Sequence, residues 1–234
     1  MIRLIYGDCN KYLATCKNKQ YSLGIVDPPY GIGVMSMNYT KSGAVRTHGH
    51  SAAKRKDYRK HSEWDLTPDK KYFDDLFKVT TNQIIWGGNY FSEMIPSSKS
   101  FICWDKRCMD SMTNDFSDCE YAWCSTGVSR MFRFVWNGML QGNMSDKENR
   151  THPTQKPVQL YKWLLKNYAK EGDTILDNHL GSGSSAIACI DGGFDFTGIE
   201  LDPDYFEAMV KRVQNHVRQL DIFIERPEIK IISL

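Results

Sequence analysis

The chain of 234 residues has no long apolar run. Its longest comparable stretch, Ala186-Ile187-Ala188-Cys189-Ile190, falls far short of the ~20 apolar residues that span a bilayer, so no membrane association is expected. No secretory-leader pattern precedes the cysteines. These number seven, an odd count scattered as Cys9, Cys16, Cys103, Cys108, Cys119, Cys124 and Cys189, which argues for a reducing cytoplasm. Metal-ribbon spacing is missing too. Cys103 with Cys108 and Cys119 with Cys124 are set too far apart for the usual zinc pair and lie in apolar, strand-like runs, so no metal is expected. There is no internal repeat and no low-complexity linker. With 41% hydrophobic residues the chain can bury one substantial core but is short for two independent domains, so a single domain, 1–234, carrying an inserted region is expected.

What is present is unevenly placed. The formal net charge is only +2, yet Lys41, Arg46, Lys54, Arg55, Lys56, Arg59 and Lys60 stand against the single acid Asp57, so this segment carries +6 and the remainder −4. Concentrated positive charge on a mildly acidic body suits a polyanion-binding face; a solvated loop would read the same from charge alone. His48, His50 and His61 fall in the same segment and are read as touching phosphate or solvent.

Both ends of the chain alternate strands and helices. Ile2 to Tyr6 and Tyr21 to Val26 are β-prone around a helix from about Cys9 to Lys17. Thr174 to Leu176 and Asp195 to Ile199 flank a helix from Ser184 to Ile190, and a further helix starts at Pro203, capped by Asp202, and runs to about Leu220. Such alternation implies a parallel sheet covered on both faces. In the middle, Thr67-Pro68 caps a helix reaching about Val79; Gln83 to Trp86, Ser100 to Trp104, Cys119 to Cys124 and Met131 to Val135 read as strands. Trp86, Trp104, Trp123 and Trp136 read as core or pocket walls. Residues 31–63 and 137–151, polar and rich in turn formers, read as mobile loops. Asp221 to Leu234 is left unassigned.

The sharpest motif is Leu23-Gly24-Ile25-Val26-Asp27-Pro28-Pro29-Tyr30. In open parallel sheets ligands gather at the carboxyl ends of strands, where this places an acid, two prolines and an aromatic ring. The prolines stiffen the chain and leave the Pro28 carbonyl available as an acceptor. Beside it, the Asp27 carboxylate completes a pair of acceptors for an amine with two hydrogens, and Tyr30 offers a face on which a base can stack. A strand end with an acid cap and a proline turn is the structural alternative.

A second motif is Asp177-Asn178-His179-Leu180-Gly181-Ser182-Gly183-Ser184-Ser185-Ala186, with Glu200 at the end of the next strand. Gly181, Gly183 and Ala186 satisfy the dinucleotide fingerprint, and Glu200 lies 23 residues beyond Asp177, where a carboxylate can grip ribose hydroxyls. The loop therefore signals an adenosine cofactor without saying which, and a nicotinamide enzyme stays open on this motif alone. Two observations move the choice: only 34 residues follow Glu200, and nicotinamide chemistry gives no reason for the Asp-Pro-Pro-Tyr strand end.

Taken in order, Asp27-Pro28-Pro29-Tyr30, Thr154-Gln155-Lys156-Pro157 and Gly181-Ser182-Gly183 resemble the β-class amino-methyltransferases of DNA. The resemblance implies a Rossmann-like α/β methyltransferase fold, circularly permuted so that the catalytic half precedes the cofactor half, with a mixed, mostly parallel sheet and inserted target-recognition loops. It implies S-adenosyl-L-methionine as cofactor, double-stranded DNA as partner and a bacterial or phage-infected cytoplasm; a homodimer is left open. Asp27 and the Pro28 carbonyl would bind the target amine and Tyr30 would stack on the flipped base, with Pro29 between them. Asp177 with Gly181, Ser182 and Gly183 would contact the methionine moiety, Glu200 the ribose and Lys156 the carboxylate. Asp8 matches the acidic position near the cofactor adenine, and a plain helix cap explains it equally well. Aspartate at position 27 favours adenine, where a serine would suggest cytosine.

One departure stands out. The family has Pro-Phe after the strand-ending acid, and this chain has Asn178-His179. His179 is expected to cover the cofactor by packing, not to act as a base. The alternatives that remain are an N4-cytosine enzyme, a catalytically silent DNA-binding relative, and methylation of RNA or of a glutamine side chain.

Overall fold

The computed structural model describes residues 1–32, 66–107, 117–137, 140–145, 147–219 and 227–234. Two compact units result: Met1–Pro28 with Asp69–Leu234, and Pro29–Pro68.

The larger unit contains β1 (Ile2–Tyr6), α1 (Cys9–Thr15), β2 (Tyr21–Val26), α2 (Lys70–Val79), β3 (Thr80–Trp86), β4 (Ser100–Asp105), β5 (Cys119–Cys124), β6 (Arg130–Arg133), β7 (Trp136–Asn137), β8 (Leu140–Gln141), α3 (Val158–Tyr168), β9 (Thr174–Asp177), α4 (Ser184–Gly192), β10 (Asp195–Glu200), α5 (Pro203–Gln219) and β11 (Ile229–Ser233). Nine strands form one sheet in the order β11-β1-β10-β9-β2-β3-β5-β4-β6, and β7 pairs with β8 alone. From β11 to β3 every pairing is parallel; β5 runs antiparallel to both β3 and β4. The expected mixed, mostly parallel α/β sheet is therefore what the chain forms.

The strand order shows the permutation. β9 and β10, from the C-terminal half, sit between β1 and β2 from the N-terminal half. From β9 the chain moves through α4 to β10 on one side, and from β2 through α2 to β3 on the other. The order reverses between β9 and β2, joined by Leu23↔Ile175 and Gly24↔Leu176, and a crevice at the carboxyl ends of such strands is where open sheets bind ligands.

Burial explains the strand composition. Ile84, Ile85 and Trp86 are consecutive and each 0% exposed, which an alternating strand permits only if both faces are covered. α1 packs on α2, while α3 and α5 each pack on α4. Farther out, Phe101 on β4, Tyr121 on β5 and Met131 on β6 are exposed, so cover is incomplete there.

Several boundaries differ from expectation. α2 is capped by Asp69, whose carboxylate accepts from the Tyr72 N–H at 2.9 Å, and not by Thr67-Pro68. Thr67 instead donates its hydroxyl to the Tyr30 carbonyl at 3.2 Å within the smaller unit. β3 follows α2 without a loop and starts at Thr80. α3 was not anticipated, although Val158, Tyr161, Leu164 and Leu165 recur at helical spacing and all are buried. β11, parallel to β1, falls in the stretch left unassigned. Asp202 caps α5 as expected, accepting from the N–H groups of Asp204 and Tyr205 at 2.9 and 3.0 Å.

Candidate active site

The carboxyl ends of β1, β10, β9, β2 and β3 bring together residues far apart in sequence. Asp27 follows β2, Asp177 ends β9, Glu200 ends β10, Asp8 follows β1 and Trp86 ends β3. Of the motif at β2, Asp27 and Pro28 belong to the larger unit and Pro29 and Tyr30 to the smaller.

Asp27 does not stand alone. The Lys156 ammonium donates to its Oδ2 at 2.5 Å and lies 3.2 Å from Glu120 Oε2 and 5.3 Å from the centre of the Trp86 ring. Lys106 in turn donates to Glu120 Oε1 at 3.0 Å. The charges alternate along Asp27, Lys156, Glu120 and Lys106, so the row is neutral as a whole, which is what lets Lys156 sit only 5% exposed. Burial disfavours the Glu120 carboxylate, but Lys156 and Lys106 outweigh it and hold its pKa down at about 2. Burial likewise works against the Lys156 ammonium, and Asp27 and Glu120 more than compensate, leaving it raised.

Asp177 is 1% exposed. Its Oδ2 accepts from the Ser185 hydroxyl at 2.6 Å and its Oδ1 from the His179 N–H at 3.1 Å. Burial nonetheless raises its pKa to about 7, opposed by those two bonds and helped by the charges of Asp27 and Glu200. Gly181 and Gly183 both take positive φ, +52° and +79°. Gly183 begins α4, and a Cβ there would meet Met209 Cγ on α5 at 2.7 Å, so that glycine serves helix packing as well as the turn. Glu200 accepts from the N–H groups of Gly181 at 2.7 Å and Asp202 at 2.9 Å, which bind the glycine turn to the end of β10. Burial raises its pKa against those bonds. Ser182 faces inward: its hydroxyl meets that of Ser184 at 3.1 Å and its carbonyl accepts from Arg212 at 2.8 Å.

Asp8 caps α1, accepting from the Asn10 N–H at 2.8 Å, and its charge also reaches His179. The His179 ring lies edge-on to Tyr72, 5.4 Å between centres, with Nδ1 3.0 Å from Asn178 Oδ1 and Nε2 3.8 Å from Cys9 Sγ. Burial pushes its pKa down to about 4 against the pull of Asp8, so the ring is neutral at pH 7. Asn178 accepts from the Tyr72 hydroxyl at 3.0 Å, while its Nδ2, fully enclosed, has no partner among the described residues.

The seven basic residues of the 41–60 segment lie outside the described residues. The segment expected as a second loop, 137–151, is tied down in part: Gln141 and Glu148 exchange hydrogen bonds at 2.9 Å, and Glu148 also receives Arg212 from α5 at 2.7 Å. Sequence reasoning missed Glu120, Lys106 and Arg212. Glu120 had one visible mark, being the lone acid within the otherwise apolar and aromatic Cys-Glu-Tyr-Ala-Trp-Cys strand.

A family model described as DNA methylase matches residues 34–211, well over half of the chain. The chain belongs to the DNA methylase family. Among its relatives, the type II methyltransferase M.HpaI of Haemophilus parainfluenzae is 32% identical over 249 residues, covering 96% of this chain and 78% of the relative. The type II methyltransferase M.HinfI of Haemophilus influenzae is 22% identical over 283 residues, covering 99% and 75%. Among solved structures, the M1.HpyAVI–SAM complex superposes with a TM-score of 0.54 at 18% identity, over 91% of this chain and 100% of that one. PvuII DNA methyltransferase, cytosine-N4-specific, gives 0.56 at 13% identity over 95% and 88%. These two likenesses establish the fold.

The methylase cofactor is S-adenosyl-L-methionine. The residues at the carboxyl edge fit it: the left-handed Gly181 turn presents backbone at the start of α4, and Asn178 Nδ2 is a buried donor that lacks an acceptor within the described chain. Among the described residues no helix is long and apolar enough to cross a membrane.

Proposed function

We propose that this methylase is adenine-specific and transfers a methyl group to the exocyclic N6 amine of an adenine flipped out of double-stranded DNA. The observation that carries this reading is the Asp27 carboxylate at the end of β2, at the point where the strand order reverses, followed by Pro28-Pro29-Tyr30. M.HpaI and M.HinfI are named type II methyltransferases, which supports a sequence-specific DNA substrate.

The chemistry follows from the amine. Its lone pair is delocalised into the purine ring, and hydrogen bonds from its two hydrogens to fixed acceptors favour a more tetrahedral, more nucleophilic nitrogen. In this reading Asp27 and the Pro28 carbonyl are those acceptors, Pro29 holds the backbone extended and Tyr30 is the stacking partner of the base. S-adenosyl-L-methionine supplies an electrophilic methyl on a sulfonium. The chain's contribution is chiefly in-line placement, which can supply about 7–11 kcal/mol of the barrier. Asp27 accepts a proton that becomes acidic only once the methyl is bonded, so it need not be a strong base. Flipping costs a few kcal/mol, offset by stacking in the pocket.

For the cofactor, the reading gives Glu200 the ribose hydroxyls, Asp8 the adenine side, Asp177 with Gly181, Ser182 and Gly183 the methionine moiety, His179 a packing cover and Lys156 the carboxylate. The basic segment with Lys41, Arg46, Lys54, Arg55, Lys56, Arg59 and Lys60 is assigned to phosphate contacts. The test is methylation of unmodified genomic DNA in vitro with modified bases mapped by sequencing. Modified cytosine in place of adenine overturns the specificity, and no modification of any kind favours a silent DNA binder. Asp27→Ala is expected to abolish methylation while S-adenosyl-L-methionine still binds.

A further inference from the structure

The row Asp27, Lys156, Glu120, Lys106 contains two residues, Glu120 and Lys106, to which the methyl-transfer chemistry above gives no task. Glu120 comes from β5, Lys106 from the chain just beyond β4, and Lys156 from the segment before α3, so two ammonium groups from separate parts of the fold meet at the Glu120 carboxylate, and Lys156 carries the contact on to Asp27. An ammonium hydrogen-bonded to a carboxylate withdraws electron density from it and makes it a poorer acceptor. A second carboxylate on the same ammonium takes up part of that pull. We propose that Glu120 is a positioning residue for methyl transfer: by sharing the Lys156 ammonium, it holds that ammonium beside Asp27 and takes up part of its charge, so that Asp27 stays available as a hydrogen-bond acceptor for the amine. Lys106 balances Glu120 and so acts on Asp27 with the opposite sign. This rests on Asp27 being the acceptor.

The geometry supports a role beyond holding the strands together. Lys156 Nζ stands 2.5 Å from Asp27 and 3.2 Å from Glu120, so a charge change at Glu120 is felt at Asp27 across one ammonium group that is only 5% exposed, between two partly exposed carboxylates. The Trp86 face beneath Lys156 adds a further attraction that holds the ammonium in place between the two carboxylates. Among the described residues, the other titratable groups whose charges reach this cluster include Asp177 on β9, Tyr72 on α2 and Tyr161 on α3. Burial and the nearby carboxylates push both phenols well above their usual range, so they stay neutral throughout an ordinary assay. Burial raises the Asp177 pKa to about 7, and the residue is retained in the wild type and both variants, so the opposed direction of the two shifts carries the test.

The experiment measures single-turnover methylation of a DNA duplex against pH for the wild type, Glu120→Gln and Lys106→Met. Calorimetric titration with S-adenosyl-L-methionine checks that each variant is folded and loaded. Glu120→Gln keeps the shape and removes one negative charge; its acid limb is expected to move to lower pH by about half a unit or more, with a slower plateau rate. Lys106→Met removes one positive charge, and its limb is expected to move to higher pH. A merely structural part predicts slower rates with no such opposed shifts. Limbs that stay in place, or move together, overturn the assignment; if Glu120→Gln fails to fold, the sign of the Lys106→Met shift decides alone. Should the wild type modify cytosine, the adenine reading fails, and the same profiles taken on cytosine still test Glu120.

Discussion

His179 is held neutral inside a packed corner, and folding therefore becomes harder as the solution is acidified. Its ring contacts Tyr72, Asn178 and Cys9, and among the described residues the charge opposing the effect of burial is Asp8. The pKa falls from the ordinary 6.5 to about 4. A depressed pKa means that the unfolded chain takes up the proton first, so the stabilisation is complete above pH 6.5 and is lost as pH falls toward 4. Between pH 7 and pH 5 the loss comes to about 1 to 2 kcal/mol, the lower figure allowing for the part of the ring that water reaches. His179→Phe removes the titration while keeping a ring against Tyr72, and Tyr72 retains its bond to Asn178 at 3.0 Å. Urea unfolding followed by tryptophan fluorescence at pH 7, 6 and 5 should show the wild type losing more stability than the variant by that margin. Other titrating groups are common to both proteins and cancel in the comparison. Equal losses in the two would mean that the imidazole is not held neutral, and the reasoning from burial would fail.

Asp177 should act in the opposite sense. Burial raises its pKa to about 7, so its favourable contribution is full below the usual carboxylate range and disappears as pH rises through 7; unfolding measured at pH 6 and 8 should show Asp177→Asn gaining about 1 kcal/mol on the wild type over that interval. Arg212→Met cuts the tie from α5 to Glu148 and to the Ser182 carbonyl, removing a charged donor from both while Glu148 keeps the Val158 N–H; a loss of about 1–3 kcal/mol is expected, seen by calorimetry as a lower melting temperature. Gly183→Ala puts a Cβ at φ +79° and within 2.7 Å of Met209 Cγ, so it should destabilise by about 2 kcal/mol or more, and in a double-mutant cycle with Met209→Ala the coupling energy should equal only the part due to crowding.

The sequence was most informative where the candidate site is built from contiguous residues. The Asp27-Pro28-Pro29-Tyr30 strand end, the Gly181 to Gly183 turn and Glu200 could be read directly because each is a local backbone device attached to a strand, and the structure places Asp27, the turn and Glu200 along one edge of the sheet. The Asp202 cap of α5 was readable for the same reason. Glu120 and Lys106 were hidden because their meaning comes from antiparallel pairing of β4 with β5, which no local pattern announces. Lys156 is a candidate from its motif alone, but nothing local announces its 2.5 Å contact with Asp27, 129 positions away. α3 escaped because Pro157 hides its start, standing at the cap without a side-chain hydrogen bond. The short β11 has exposed Ile231 and Ile232 and shows no buried face to betray it.

The interleaving of β9 and β10 between β1 and β2 also bears on how the polypeptide is made. A ribosome releases β1 and β2 early, yet neither can find its lateral partners on that side until the chain has been translated past Thr174 and Asp195. Until then the nascent amino-terminal half presents unpaired apolar edges, a natural client for chaperones. Such long-range pairing makes assembly slow. It also means that severing the chain between α2 and α3 would yield two fragments with incomplete sheets, which could recover activity only by completing each other.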